Sequence, residues 1–200
     1  CVQIIRNEKN RGTAKAINAG VKASYGKYIT IIGADDMMES FRLEKLYRAA
    51  VANPHRFIYD NLVCFADGRR RPDIKVGVSA YNFEVLLKKN HVHAGILAPL
   101  QAWNEIGGYP ENFGDGREDW AVNVALGIKG WCGVLIPEVG YLYRRERQNR
   151  SLTNTSPNHH KAFLAKLIKT FPNIYDGERP DMCCGQARTR ATGATPNRGV

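Results

Sequence analysis

Hydrophobic and polar positions along the chain switch between short apolar runs and a spacing of three to four residues, a pattern that predicts strands alternating with helices. Val2 to Ile5 is the first apolar run and reads as a strand, and Asn10-Arg11-Gly12-Thr13 carries turn chemistry ending in a candidate helix cap. Ala14, Ile17 and Val21 recur at helical spacing between Ala14 and Ser24, and Gly26 closes that helix. Tyr28 to Ile32 is apolar or β-branched throughout, as expected of a strand buried on both faces in the middle of a sheet, and it runs straight into Gly33-Ala34-Asp35-Asp36. Arg42 to Ala52 predicts a second helix with Leu43, Leu46, Tyr47 and Ala50 on its inner side, stopped by Asn53-Pro54. Phe57 to Ala66 is strand-like and turns at Asp67-Gly68, a hairpin signal.

The second half continues the alternation. Tyr81 to Lys89 predicts a helix, Ala94 to Leu100 is an apolar run, and Gln101 to Gly108 is a short helix ended by two glycines. Arg117 to Lys129 predicts a longer helix with Trp120, Val124 and Ile128 four apart, Gly133 to Leu142 a strand, and Lys161 to Phe171 an amphipathic helix. Large apolar residues almost vanish beyond Pro172, so residues 172–200 are expected to form a flexible basic tail on a domain of residues 1–171. Strands and helices in this order specify an α/β sandwich, in which ligands sit past the carboxyl ends of strands.

Composition adds little to that picture until the charge is located. Of the net +10, residues 141–200 supply +7, from eleven Lys or Arg against four Asp or Glu. Without aromatic motifs of the RNA-binding type, this basic stretch reads as solvation and argues against a nucleic-acid partner. No run approaches the ~20 apolar residues of a membrane span, and the first residues lack the pattern of a signal peptide. Five cysteines, an odd number with no CxxC pair, fit a reducing cytoplasm; adjacent Cys183 and Cys184 have no assigned role. His91 and His93 flank Val92 as candidate ligands on one face of a strand, although two histidines at a loop edge are more often solvated, and His159-His160 reads as the first turn of the last long helix.

Two constellations carry chemistry. Asp35 and Asp36 follow an apolar strand; adjacent carboxylates repel, and a divalent cation such as Mg²⁺ or Mn²⁺, shared with substrate phosphate, removes the conflict. An Asp-rich turn capping the next helix explains the same pair equally well. Glu118-Asp119-Trp120 opens a helix after Gly107-Gly108-Tyr109 and a flexible PENFGDG loop. A first-turn carboxylate beside an indole able to stack on a sugar suits a general base acting on a hydroxyl, although the helix dipole alone also favours acids there.

Taken in order, Asn10-x-Gly12-x-x-x-Ala16-x-Asn18-x-Gly20, Ala23-x-x-Gly26-x-Tyr28-Ile29, Asp35-Asp36, Gly107-Gly108-Tyr109 and Glu118-Asp119-Trp120 resemble the inverting glycosyltransferases of family 2, with the GT-A fold, from about Val2 to Tyr143. The resemblance implies a three-layer sandwich around a mixed central sheet, lacking the strand, helix and strand with which members usually begin. It implies a nucleotide-diphosphate sugar as donor, a glycan or other hydroxyl as acceptor, and Mn²⁺ or Mg²⁺ on Asp35 and Asp36. Asp119 takes the role of base in that pattern. Gly107, Gly108, Tyr109, Glu118 and Trp120 fall at the acceptor site, and Asn10, Gly12, Lys15, Asn18 and Asp35 near the nucleotide sugar. Two features depart from the pattern: Gly33 stands where an acid often precedes the last Asp, and Tyr143-Arg144-Arg145-Glu146-Arg147 lacks the usual histidine, with Arg144 or Arg147 left to meet phosphates. A truncated, non-catalytic binding module is the alternative these departures leave open.

Overall fold

The computed structural model describes residues 2–66, 68–73, 76–113, 116–145 and 157–177. The strands are β1 (Tyr28–Thr30), β2 (Met37–Met38), β3 (Arg56–Ala66), β4 (Arg69–Arg71), β5 (Leu97–Pro99) and β6 (Cys132–Arg144). The helices are α1 (Thr13–Lys22), α2 (Arg42–Ala52), α3 (Phe83–Leu86), α4 (Leu100–Ile106), α5 (Glu118–Ile128), α6 (Pro157–Thr170) and α7 (Pro172–Tyr175).

One mixed sheet runs in the order β1-β5-β3-β6-β2, with β4 folded back on β3 at the expected hairpin. Only the β3–β6 pair is parallel; its register slips at Asp60 and Asn61. Alternation along β3 sends Phe57 and Tyr59 to one face and Ile58 to the other. The first face is covered by α1, α4 and α5 through Ala14, Trp103, Val122 and Leu126, and the second by α2 through Leu46 and Ala50. A further cluster ties α3, α5, α6 and α7 together around Trp120, Phe163 and Leu167. Apart from Asn123, helix α5 is apolar from Trp120 to Gly127 and is buried accordingly.

Five expectations are corrected. The strand at Tyr28 is not central: among the described strands β1 pairs only with β5, and Ile32 beyond it is 41% exposed. Val2 to Ile5 forms no strand among the described residues, and Val2 is 93% exposed. Helix α2 is rotated from its predicted face, because Arg42 is drawn inward while Leu43 and Tyr47 remain about half exposed. His91 and His93 are buried. Residues 172–177, placed in the tail by composition, form α7 and the turn after it, with Ile174 buried and the Tyr175 hydroxyl donating to the Leu87 carbonyl at 3.0 Å.

Arg42 turns inward because its charge has a partner there. Its guanidinium donates twice to the Asp60 carboxylate on β3, at 2.9 Å each, and once to the Gly95 carbonyl; both charged side chains are 1% exposed. His93 Nε2 donates to Asp60, lying 2.9 Å from its carbonyl and 3.2 Å from its carboxylate, while Nδ1 accepts the Gly95 N–H at 3.0 Å, so this ring is the neutral Nε2–H tautomer. Burial alone raises the Asp60 pKa, but the hydrogen bonds from His93 and Arg42 and the Arg42 charge overcome it and hold it below the usual value. Gly95 and Gly140 leave the room: a Cβ on Gly95 would come within 2.4 Å of the Tyr141 ring, and one on Gly140 within 2.3 Å of Asp60 Oδ2.

Removing one member of such a pair strands the other charge in a dry interior. Asp60→Ala is expected to lose about 3–5 kcal/mol in urea unfolding, and Arg42→Met with Asp60→Leu to recover most of it. Because the folded pKa of Asp60 is depressed, its contribution is complete above the unfolded value near 3.9 and is lost as pH falls through the folded one.

Candidate functional site

A cavity of about 760 Å³ opens over the sheet and takes in both acidic constellations. Asp35, Asp36, Tyr141, Arg144 and Arg145 line it from the β2–β6 side, and Asn90, His93, Tyr109, Glu118 and Asp119 from the helical side. Its size suits a ligand of cofactor dimensions.

The acid pair is built by a turn and fastened by β6. The Asp36 N–H donates to the Gly33 carbonyl at 3.1 Å, closing the turn, and Met37 and Met38 pair with Leu142 and Tyr141. Tyr141 therefore stands opposite Asp36: its hydroxyl donates to Oδ2 at 2.7 Å and accepts the Gly33 N–H at 3.3 Å. The Arg144 N–H donates to Asp36 Oδ1 at 2.9 Å, and Arg144 Nε to the Asp35 carbonyl at 2.7 Å. The Arg144 guanidinium also lies 4.5 Å from the centre of the Phe65 ring. Burial raises the Asp36 pKa, opposed in part by the Tyr141 and Arg144 hydrogen bonds.

Gly33 now has a physical reason. A Cβ there would lie 2.6 Å from Asp36 Oδ2 and 3.1 Å from Asp35 Oδ1, so both carboxylates converge on the space a side chain would fill. An acid at this position would push the pair apart.

Asp119 lies in the first turn of α5, where its Oδ2 accepts a hydrogen bond from Asn90 Nδ2 at 3.0 Å. Burial is the main cause that pushes its pKa up to about 6; neighbouring Glu118 adds to the rise, while the Trp120 N–H and Asn90 oppose it. Glu118 beside it is 7% exposed and also lines the cavity.

The other expected site residues divide. Tyr109 lines the cavity with its ring stacked 5.8 Å from that of Trp103. Gly107 and Gly108 do not line it; they turn the chain after α4 at φ values of 72° and 83°. Trp120 is among the residues that line the cavity but is only 1% exposed: its ring stacks on Phe163 and His160, and its indole N–H donates to the Leu86 carbonyl at 2.6 Å. Most of the ring is therefore packed into the helical cluster.

On α1 the cavity wall is made by Thr13 and Ile17 rather than by Asn10, Gly12, Lys15 or Asn18. Asn10 Oδ1 accepts the Gly12 N–H at 2.9 Å in an exposed turn, and Lys15 lies 4.0 Å from Glu111 on the surface. Asn18 is a bracket: Nδ2 donates to the Tyr109 carbonyl at 2.9 Å and Oδ1 accepts the Tyr109 N–H at 2.7 Å, while a Cβ on Gly108 would lie 2.5 Å from Oδ1. Arg147, Cys183, Cys184 and the centre of the PENFGDG loop lie outside the described residues. Sequence patterns missed Asn90, Tyr141 and Arg145; Gly140 in mid-strand beside Tyr141 was the available signal for close packing there.

Comparison with known proteins gives these positions a context. Residues 1–96 match the family model described as Glycosyl transferase family 2. The succinoglycan biosynthesis protein ExoO of Rhizobium meliloti (strain 1021) is 27% identical over 158 residues, covering 71% of this chain and 44% of that protein. An uncharacterized glycosyltransferase of Haemophilus influenzae is 34% identical over 64 residues, 32% of this chain and 22% of that protein. Among solved structures, S. aureus TarS 1–349 in complex with UDP-GlcNAc superposes with a TM-score of 0.60 at 14% identity, over 83% of this chain and 50% of that one. The mannosyltransferase PcManGT from Pyrobaculum calidifontis, in complex with GDP-Man and Mn²⁺, gives 0.51 at 15% identity, over 89% and 59%. The fold is thus of the GT-A glycosyltransferase type, and the chain spans less than half the length of the curated relatives it matches.

The Asn18 bracket generates a test of how the wall at Tyr109 is held. Asn18→Ala removes both bonds to the Tyr109 backbone and is expected to cost about 1–3 kcal/mol. Hydrogen exchange at the Tyr109 amide, which donates to Asn18 in the wild type, should accelerate well beyond that of α5 amides.

Proposed function

We propose that this chain, a member of glycosyl transferase family 2, transfers a sugar from a nucleoside-diphosphate sugar to an acceptor hydroxyl with inversion at the anomeric carbon. The observation that carries the reading is one cavity bordered both by a converging carboxylate pair and by a first-turn carboxylate whose pKa is raised to about 6. General-base work near neutral pH favours a pKa in this range.

Asp119 in its ionised form accepts the proton of the acceptor hydroxyl as that oxygen bonds to the anomeric carbon. The bond from that carbon to the diphosphate oxygen breaks on the opposite face, and the nucleoside diphosphate leaves with the electron pair. One displacement therefore inverts the centre. Arg144 and Arg145 add positive charge to the wall that the leaving group faces.

Asp35 and Asp36 fit a hard divalent cation, Mn²⁺ or Mg²⁺. Their oxygens converge on the space above Gly33, and a carboxylate that already accepts one hydrogen bond per oxygen, as Asp36 does, keeps lone pairs for a metal. Among the described residues no cluster of three or more His, Cys, Asp or Glu forms, so the remaining positions would fall to diphosphate oxygens and water. When bound, such a cation supplies charge neutralisation of the departing diphosphate. Asp36 is held for that task by Tyr141 and Arg144.

Asp119→Asn is expected to lower kcat by ~10²- to 10⁴-fold while donor binding stays close to wild type. In the wild type kcat/KM should be full above the pKa of about 6 and fall as pH drops through it, because protonation removes the base. A wild-type rate in Asp119→Asn overturns the assignment.

Gly33→Ala and Asp36→Asn test the acid pair. Each should weaken Mn²⁺-dependent binding of UDP or GDP at least about tenfold by calorimetry, the first by displacing the carboxylates and the second by removing a charge. Equal binding with and without Mn²⁺ in the wild type removes the cation from the reading.

A further inference from the structure

Residues 90–92 pass over the start of α5 and are fastened to it by two asparagines. Asn123, one turn beyond Asp119, donates from Nδ2 to the Val92 carbonyl at 3.0 Å and is 1% exposed. Asn90 works in the other direction: its Oδ1 accepts the Val92 N–H at 3.3 Å, and its Nδ2 donates to Asp119 Oδ2 at 3.0 Å. These two partners decide which way the Asn90 amide faces. A backbone N–H requires the oxygen and a carboxylate requires the NH₂ group, so a flipped amide would lose both bonds. The Asn90 donor is therefore held toward Asp119 before any substrate arrives.

We propose that Asn90 is a positioning residue for the base, fixing one oxygen of Asp119 and favouring its ionised form in the free protein. This rests on the reading of Asp119 as base. A neutral amide is well suited to the task, because it donates to the carboxylate without adding a positive charge that would make the base too weak. Serving both the loop and Asp119, Asn90 couples the cavity wall at Val92 to the reacting group.

Other groups also act on Asp119. Glu118 on the same helix and Tyr109 after α4 face it with acidic groups, and His93 faces it from the segment before β5. Lys89 and His91 flank Asn90 on the cavity wall, and Arg117, 3.5 Å from His160 of α6, completes it. His91 and His93 are also oriented by backbone N–H groups, those of Asn82 and Gly95, but His93 spends its donor on Asp60, whereas the Asn90 donor is given to Asp119.

Asn90→Asp isolates the donor. It keeps the size and the oxygen that accepts from Val92, while the atom facing Asp119 becomes a second carboxylate oxygen; Asn123 is untouched and still grips the loop. Asn90→Ala removes the donor without adding charge. The full chain, labelled with ¹³C-aspartate and with the Asp119 resonance assigned by Asp119→Asn, is titrated by NMR, and donor turnover is followed across pH. The Asp119 midpoint, near 6 in the wild type, should rise by about one pH unit in Asn90→Asp and by less in Asn90→Ala. At pH 6.5 kcat should fall about threefold in Asn90→Asp, with KM for the donor unchanged and most of the rate regained above pH 8. A midpoint and acid limb that stay in place in both variants overturn the role of Asn90 while leaving Asp119 as base. A wild-type transfer rate in Asp119→Asn overturns the base reading instead, and with it the task assigned to Asn90.

Discussion

The Arg42–Asp60 ion pair is the constraint on which the rest depends. Two charges withdrawn from water cost several kcal/mol each unless their geometry is good and their other hydrogen-bonding atoms are occupied. Here the contact is bidentate, His93 and the Gly95 carbonyl take up further capacity, leaving the buried Arg42 Nη1 without a partner among the described residues, and Gly95 and Gly140 clear the space. The pair ties α2 to β3, which explains why Arg42, and neither Leu43 nor Tyr47, turns toward the sheet. It reaches the cavity through Tyr141, whose ring lies 4.9 Å from the Arg42 guanidinium and whose hydroxyl holds Asp36. An acid that faces solvent is thus positioned by charges that do not.

The two sides of the cavity are held by different chemistry. Around Asp35 and Asp36 the partners are a phenol, a backbone N–H and arginines, which suits a region where negative charge gathers. Around Tyr109 and Asp119 they are the amides of Asn18, Asn90 and Asn123. Amides fix geometry without adding a formal charge, so burial remains the main cause of the raised Asp119 pKa while the Asn90 donor opposes it.

Periodicity made most elements legible because their local and global demands coincide. Helix α2 begins and ends at the predicted residues, and the hairpin after β3 follows from Asp67-Gly68. The order of strands was hidden, since Tyr28 to Ile32 has the composition of a central strand yet pairs on one side only among those described. The acids of the site were visible as spacing, but their supports were not. Tyr141 lies more than a hundred residues from Asp36, and Asn90 is one polar residue at the end of a weak helical pattern. Trp120 was legible as a neighbour of the site acids, but its packing on Phe163 and His160 was not, because an aromatic beside an acid has the same sequence pattern whether it packs inward or faces a ligand. Gly33 misled: what looked like a missing acid is the space that lets two acids meet.

The parallel pairing of β3 with β6 joins Arg56 to Cys132 and brings two distant parts of the chain side by side. The hydrogen-bond partners of the Asp36 carboxylate come from β6, so the turn at Gly33 can form early but cannot acquire its tyrosine or its arginine until that strand has docked. Non-local parallel pairing closes long loops before contacts repay the lost entropy and is correspondingly slow. Maturation of the acid pair is therefore a late event in folding. A chain emerging from synthesis with β6 still unplaced carries both aspartates but lacks their geometry.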